Sequence, residues 1–161
     1  MKKNDEDITT PPQKLNILLA DDDKDDCLIF KEALEELSFA ATLTTVNDGE
    51  QLMQHLQTVT ANLPHALFLD LNMPRKNGFD CLTEIKNNSV LNKIPVIIYS
   101  TSYDTEKANL LYNTGANYYI RKPSDFEELK KVVHKAIMLV KQNGEQASKE
   151  NFFINKLKTA W

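Results

Sequence analysis

Residues 66–74 read ALFLDLNMP: four apolar side chains, an aspartate at position 70, and a loop that runs to Pro74. Four apolar residues are too few for a helix. They are also too uniformly apolar for a strand with one face in water. They suit a central strand of a parallel sheet, buried on both sides, with Asp70 where the chain leaves the core. Three similar runs lie elsewhere. Leu15-Asn16-Ile17-Leu18-Leu19-Ala20 meets Asp21-Asp22, Ile94-Pro95-Val96-Ile97-Ile98-Tyr99 meets Ser100-Thr101-Ser102, and Tyr118-Tyr119-Ile120 runs on to Lys122-Pro123. Ala41 to Val46, rich in Thr and Val, supplies a fifth strand.

Between these runs the apolar period becomes helical. From the acidic run 21–26 to about Leu37, the residues Leu28, Ile29, Ala33, Leu34 and Leu37 fall mostly on one face, opposite Lys31, Glu32, Glu35 and Glu36. Further helices are expected from Glu50 to Val59, Phe79 to Asn87, Asp104 to Thr114 with Gly115 as terminator, and Ser124-Asp125 to about Asn143. Asn47-Asp48-Gly49 marks a turn. Strands alternating with helices at this spacing predict an α/β fold: a doubly wound, five-stranded parallel sheet with helices on both faces and right-handed crossovers.

Such a sheet places its chemistry beyond the carboxyl ends of its strands. Asp21 and Asp22, Asp70, Ser100 and Lys122 all fall there. Carboxylates held together repel one another unless they are protonated or share a cation. Magnesium suits them best, because it takes oxygen ligands and pairs with phosphate. A carboxylate is also a nucleophile towards phosphorus, and the transferring group needs positive charge and donors around its oxygens. Lys122 and Ser100 are of the right types. Each feature has a plainer reading when taken alone. An acidic run caps a helix, an Asp after a strand makes a turn, and a Ser or Thr there caps the next helix. Their arrival in order at successive strand ends favours the chemical reading.

The bulk numbers exclude several classes. The chain has 161 residues, 42% apolar and 26% charged, with a formal net charge of -4. One soluble domain is expected. The acidic balance argues against direct binding of nucleic acid. Cys27 and Cys81 belong to no metal-ligating cluster and are expected to be reduced thiols. Residues 1–14 are charged, carry Pro11-Pro12, and read as a disordered tail without the apolar stretch of a signal peptide. No run is apolar and long enough to span a membrane. A cytoplasmic location is expected.

The segments ILLADDD, LFLDLNMPRKNGFD, IPVIIYSTS and GANYYIRKP together resemble the receiver domains of bacterial two-component response regulators, the CheY-like family. The likeness runs from about Leu15 to Val140. Ser100 and Lys122 follow Asp70 by 30 and 52 residues, a spacing similar to the family's. The resemblance implies a flavodoxin-like strand order of 2-1-3-4-5. It also implies roles. Asp70 would accept a phosphoryl group from a phosphohistidine on a sensor histidine kinase or phosphotransfer protein. Asp22, Asp70 and the backbone carbonyl of Asn72 would hold magnesium, for which manganese or calcium can substitute, and Asp21 would act mainly through water. Lys122 and Ser100 would contact the phosphoryl group. Tyr119 would be the aromatic switch that turns inward, against the alternative of plain sheet packing. Pro74 and Gly78 would shape the loop, and a cis peptide would precede Pro123. Ser100 replaces the more usual Thr. Thr101 stands where Ala or Gly is common, and its bulk would limit access to the phosphoryl group. Asp23, Asp25 and Asp26 would cap the helix rather than add ligands.

The receiver domain is assigned to residues 15–143. Only residues 141–161 follow Val140, which leaves no room for an output domain, so a stand-alone receiver signalling through protein contacts is expected. Phe153, Leu157 and Trp161 recur at helical spacing and predict a short amphipathic helix in 144–161. That helix would pack on its own domain or would form a homodimer or partner contact. The layout is similar to small receivers that serve bacterial phytochrome-type kinases. The competing functions are a degenerate receiver acting as a scaffold and an aspartyl-phosphate phosphatase. Against the latter, Asn72 stands where phosphatases of the haloacid-dehalogenase type carry a second Asp.

Overall fold

A computed structural model describes residues 14–102 and 104–155. Strands β1 (Leu15–Ala20), β2 (Ala41–Val46), β3 (Ala66–Leu69), β4 (Val96–Ser100) and β5 (Tyr118–Arg121) alternate with helices α1 (Lys24–Glu35), α2 (Gly49–Thr58), α3 (Gly78–Lys86), α4 (Thr105–Thr114) and α5 (Phe126–Gln142). The strands form one parallel sheet in the order β2-β1-β3-β4-β5. The order reverses between β1 and β3, and the carboxyl ends of these two strands flank the crevice.

The sequence supplies each helix with its first hydrogen bond. The side chains of Asp23, Asp48, Asn77, Asp104 and Asp125 accept from backbone N–H groups in the first turns of α1 to α5. Each such cap is worth about 1 kcal/mol. Helix α4 stops at Gly115, whose φ of 116° is open to glycine at no steric cost.

Alternation along the strands builds two cores. Leu18, Ala20, Leu67, Leu69, Val96 and Ile98 pack under α2, α3 and α4. Ile17, Leu19, Phe68, Ile97, Tyr99 and Ile120 pack under α1 and α5. Each core holds one cysteine. The Cys27 thiol donates to the Asp21 carbonyl at 3.5 Å, and the Cys81 thiol to that of Gly49 at 3.6 Å. Burial pushes both thiols up to about 11.

Three expectations require correction. The buried stripe of α1 is Cys27, Phe30, Ala33 and Leu34, while Leu28 and Ile29 face solvent. Cys27, Phe30 and Leu34 are spaced at i, i+3 and i+7, so they share one side of the helix. The Lys122–Pro123 peptide is trans, as is every peptide among the described residues. Trans is the favoured isomer even before proline, and Asp125 caps α5 without a cis turn. Finally, Phe153 starts no helix. A 3₁₀ turn at Lys149–Asn151 delivers it to a parallel bridge with Tyr119. Tyr119 N–H donates to the Phe152 carbonyl at 3.0 Å, and Ile154 N–H to the Tyr119 carbonyl at 2.9 Å. An open strand edge carries unpaired amides and carbonyls, and this segment satisfies those of β5. Leu157, Trp161 and residues 1–13 lie outside the described residues.

Candidate functional site

Backbone ladders bring the strand ends together. Asp70 N–H donates to the Ala20 carbonyl at 2.9 Å, so Asp70 leaves the sheet beside Asp21. Lys122 N–H donates to the Ser100 carbonyl at 2.8 Å and seats Lys122 beside Ser100. Asp21 and Ser100 are fully buried, Asp70 is 5% exposed, and Asp22 is open to solvent.

The Lys122 ammonium crosses from β5 to the acidic groups. Its Nζ lies 2.8 Å from Asp21 Oδ2, 2.9 Å from Asp26 Oδ2 and 3.6 Å from Asp70 Oδ2. It also sits 5.1 Å from the centre of the Tyr99 ring. Burial alone would lower the lysine's proton affinity, but the adjoining carboxylates of Asp21 and Asp26 outweigh it and hold the group charged. Asp70 is pushed up to about 7. Burial is the main cause, opposed by Lys122 and reinforced by Asp21.

The donor set fits a hard divalent cation. One carboxylate oxygen from each of Asp21, Asp22 and Asp70 lies within 4.8 Å of the others. Asp21 Oδ2 is buried and has no hydrogen-bond donor aligned on it; its close neighbour is the Lys122 ammonium. Oxygen-only ligands at this spacing suit magnesium or manganese.

The loop residues follow. Asn72 N–H donates to Asp70 Oδ1 at 3.4 Å. Pro74 precedes Arg75, whose φ of 67° lies in the left-handed region that a side chain tolerates at some cost. Gly78 is buried at the start of α3, where any Cβ would meet the Asp70 carbonyl oxygen. Thr101 is exposed, and Pro123 is half-buried. The Ser100 hydroxyl is 3.0 Å from that of Ser102. Tyr119 is buried, and its hydroxyl donates to the Ser102 carbonyl at 2.6 Å. Its ring centre lies 4.9 Å from that of Phe153.

Asp26 and Ser102 escaped sequence reasoning, and so did the bridge that joins the Phe152-Phe153 segment to Tyr119, although packing of that tail on its own domain is one of the two expectations. Asp26 looked like part of a capping run, but only Asp23 caps α1, and the Asp26 carboxylate turns to Lys122.

Comparison with known proteins agrees with this geometry. Residues 17–134 match the family model described as response regulator receiver domain. Response regulator Rcp1 of Synechocystis is 33% identical over 131 residues, covering 79% of this chain and 88% of that protein. The probable methanogenesis regulatory protein FilR2 of Methanothrix harundinacea is 31% identical over 120 residues, covering 73% of this chain and 77% of its own. Among solved structures, the phosphorylated cyanobacterial phytochrome response regulator RcpA superposes with a TM-score of 0.75 at 30% identity, over 84% of this chain and 100% of that one. The Mn2+-bound form of Rcp1 gives a TM-score of 0.68 at 28% identity, over 84% and 97% of the two chains.

Proposed function

Because the chain belongs to the response regulator receiver domain family, whose members are signalling proteins, we propose that it is a phosphoacceptor switch with Asp70 as the acceptor. The observation that carries this reading is the convergence of Asp21, Asp22, Asp70 and Lys122 at the carboxyl ends of the strands. The donor is a phosphohistidine on a sensor histidine kinase or phosphotransfer protein, and the output is a contact with another protein. A cytoplasmic location belongs to this reading; no helix among the described residues is long and apolar enough to cross a membrane.

In the transfer, a carboxylate oxygen of Asp70 attacks phosphorus. The new O–P bond forms as the donor's N–P bond breaks, and the imidazole keeps the electron pair. Asp70 must be ionised to attack, and its desolvation makes the carboxylate a better nucleophile while raising its proton affinity. Asp22, Asp70 and the Asn72 carbonyl would hold magnesium directly, and Asp21 through water. When bound, the ion offsets the negative charge of carboxylates and phosphoryl oxygens. Lys122, 3.6 Å from Asp70 Oδ2, neutralises an arriving phosphoryl oxygen. The Ser100 hydroxyl leaves Ser102 and donates to another oxygen. That departure disturbs the loop to which Tyr119 is tied and shifts the population of states at α4, β5 and α5. Thr101, exposed at the same strand end, limits the approach of water.

Incubation with magnesium and acetyl phosphate, followed by intact mass, tests the proposal. One phosphoryl adduct is expected, and none on Asp70→Asn. No adduct from any donor would point to a scaffold. Multiple turnover of unrelated phosphate esters would point to a phosphatase.

A further inference from the structure

Lys122 has two short acidic contacts, and one of them is not explained by the site described above. Asp21 belongs to the carboxylate group that fits a cation. Asp26 does not: it stands in the first turn of α1, outside that group, and its Oδ2 is 2.9 Å from Lys122 Nζ. The ammonium is thus closer to Asp26 than to Asp70, by 2.9 Å against 3.6 Å. The Lys122 side chain is 8% exposed and that of Asp26 is 32% exposed, so the pair is shielded on the lysine side and wet on the other.

This geometry sets up a competition. A phosphoryl group on Asp70 brings negative oxygens next to the lysine, and Lys122 neutralises them only as far as its tip leans from Asp26 towards Asp70. An anchored carboxylate across from the phosphoryl group holds the tip back, since both attract the same charge. Asp21, at 2.8 Å, attracts the same ammonium but belongs to the carboxylate group that fits a cation, so Asp26 is the contact whose removal leaves that group intact.

We infer that Asp26 is a positioning residue: it retains Lys122 and thereby sets how long the phosphoryl group stays on Asp70. The inference rests on the phosphoacceptor reading of the site. Loss of the group is hydrolysis. Water attacks phosphorus, the O–P bond to Asp70 breaks, and the carboxylate leaves as inorganic phosphate forms. Lys122 held on Asp26 neutralises the acyl phosphate poorly, and Lys122 released from it protects the ground state.

The test compares wild type with Asp26→Asn and Asp26→Glu, each phosphorylated by acetyl phosphate with magnesium and then freed of donor. Asp26→Asn keeps the side-chain volume and removes the charge. Its phosphoryl half-life is expected to lengthen about two- to fivefold, the range set by a partly exposed ion pair. Its affinity for beryllofluoride, a phosphoryl mimic on the carboxylate, should rise in parallel. Asp26→Glu restores the charge and should return both readouts towards wild type. A half-life in Asp26→Asn equal to or shorter than wild type overturns the inference, as does a Glu variant indistinguishable from the Asn variant. Wild type that takes no adduct overturns the phosphoacceptor reading and the inference with it. Wild type that takes the adduct while the Asn variant decays at the same rate overturns the inference alone. Equal urea unfolding of the three proteins separates positioning from a change in folding.

Discussion

The carboxyl ends of the strands and the outer edge of β5 are built on opposite terms. At the strand ends, Asp21, Asp70, Ser100 and the tip of Lys122 are taken out of water. Charge holds them in place, but their desolvation is costly. At the β5 edge, Phe152, Phe153 and Ile154 are buried with every backbone bond along Tyr119 satisfied. One region gives up stability by holding charged groups out of water. The other supplies stability and covers the strand that carries Tyr119.

The largest test of that contrast is Phe152→Ala. Phe152 is fully buried, and its ring lies 5.2 Å from Tyr112, 6.1 Å from Tyr119 and 5.6 Å from Phe153. Truncation should cost about 3 kcal/mol in urea unfolding. A cost below about 1 kcal/mol would mean that the edge segment is dispensable to the core.

Asp70→Asn should act in the opposite direction. It removes a desolvated charge and should stabilise the metal-free protein at pH 8 by about 2 kcal/mol, and added magnesium is expected to raise the urea midpoint of wild type but not of this variant. A loss of stability on this substitution would show that the Lys122 pairing outweighs the burial.

The pH dependence sharpens the same point. Asp70 titrates near 7 in the folded protein, against 3.8 for the ordinary carboxyl. The folded state therefore binds the proton more tightly. The stability this gives is complete below the unfolded value and is lost as pH rises through about 7. Metal-free wild type should lose about 2–3 kcal/mol relative to Asp70→Asn between pH 5 and pH 8, read as a difference in unfolding free energy from urea titrations. Parallel profiles would place the titration elsewhere.

The smallest effect belongs to Asn155. Its amide accepts from Arg121 N–H at 3.0 Å and donates to the Arg121 carbonyl at 2.7 Å, both at an exposed position. Asn155→Ala should cost about 1 kcal/mol and leave the yield of phosphoryl adduct unchanged.

The same contrast explains what the sequence made legible. β1 and β3 matched the structure because strand burial writes itself into consecutive residues, β2, largely unburied, matched through its Thr and Val content, and helix starts matched because Asp and Asn caps are local. The gathering of Asp21, Asp22, Asp70 and Lys122 followed from topology, since one rule about parallel sheets locates all the strand ends. Asp26 was missed because capping and pairing use the same residue type, and its partner lies 96 residues away. The pairing of the tail with the β5 edge was missed for a different reason. The spacing of Phe153, Leu157 and Trp161 is helical, whereas the pairing of Phe153 depends on an edge that exists only after the sheet forms. Leu28 and Ile29 misled because apolar character alone does not select a face; Phe30 and Leu34 claim the buried one.

The two thiols give the protein an internal pair of clocks. Cys27 and Cys81 lie in the cores on opposite faces of the sheet, and burial keeps both protonated at neutral pH. A thiol-directed alkylating reagent reaches either one only when its own layer opens, so the two labelling rates time the breathing of each face separately. Cys27, bonded to the carbonyl of Asp21, keeps time for the layer beneath the acidic crevice. Cys81, bonded to Gly49, keeps time for the layer that Phe152 helps to close.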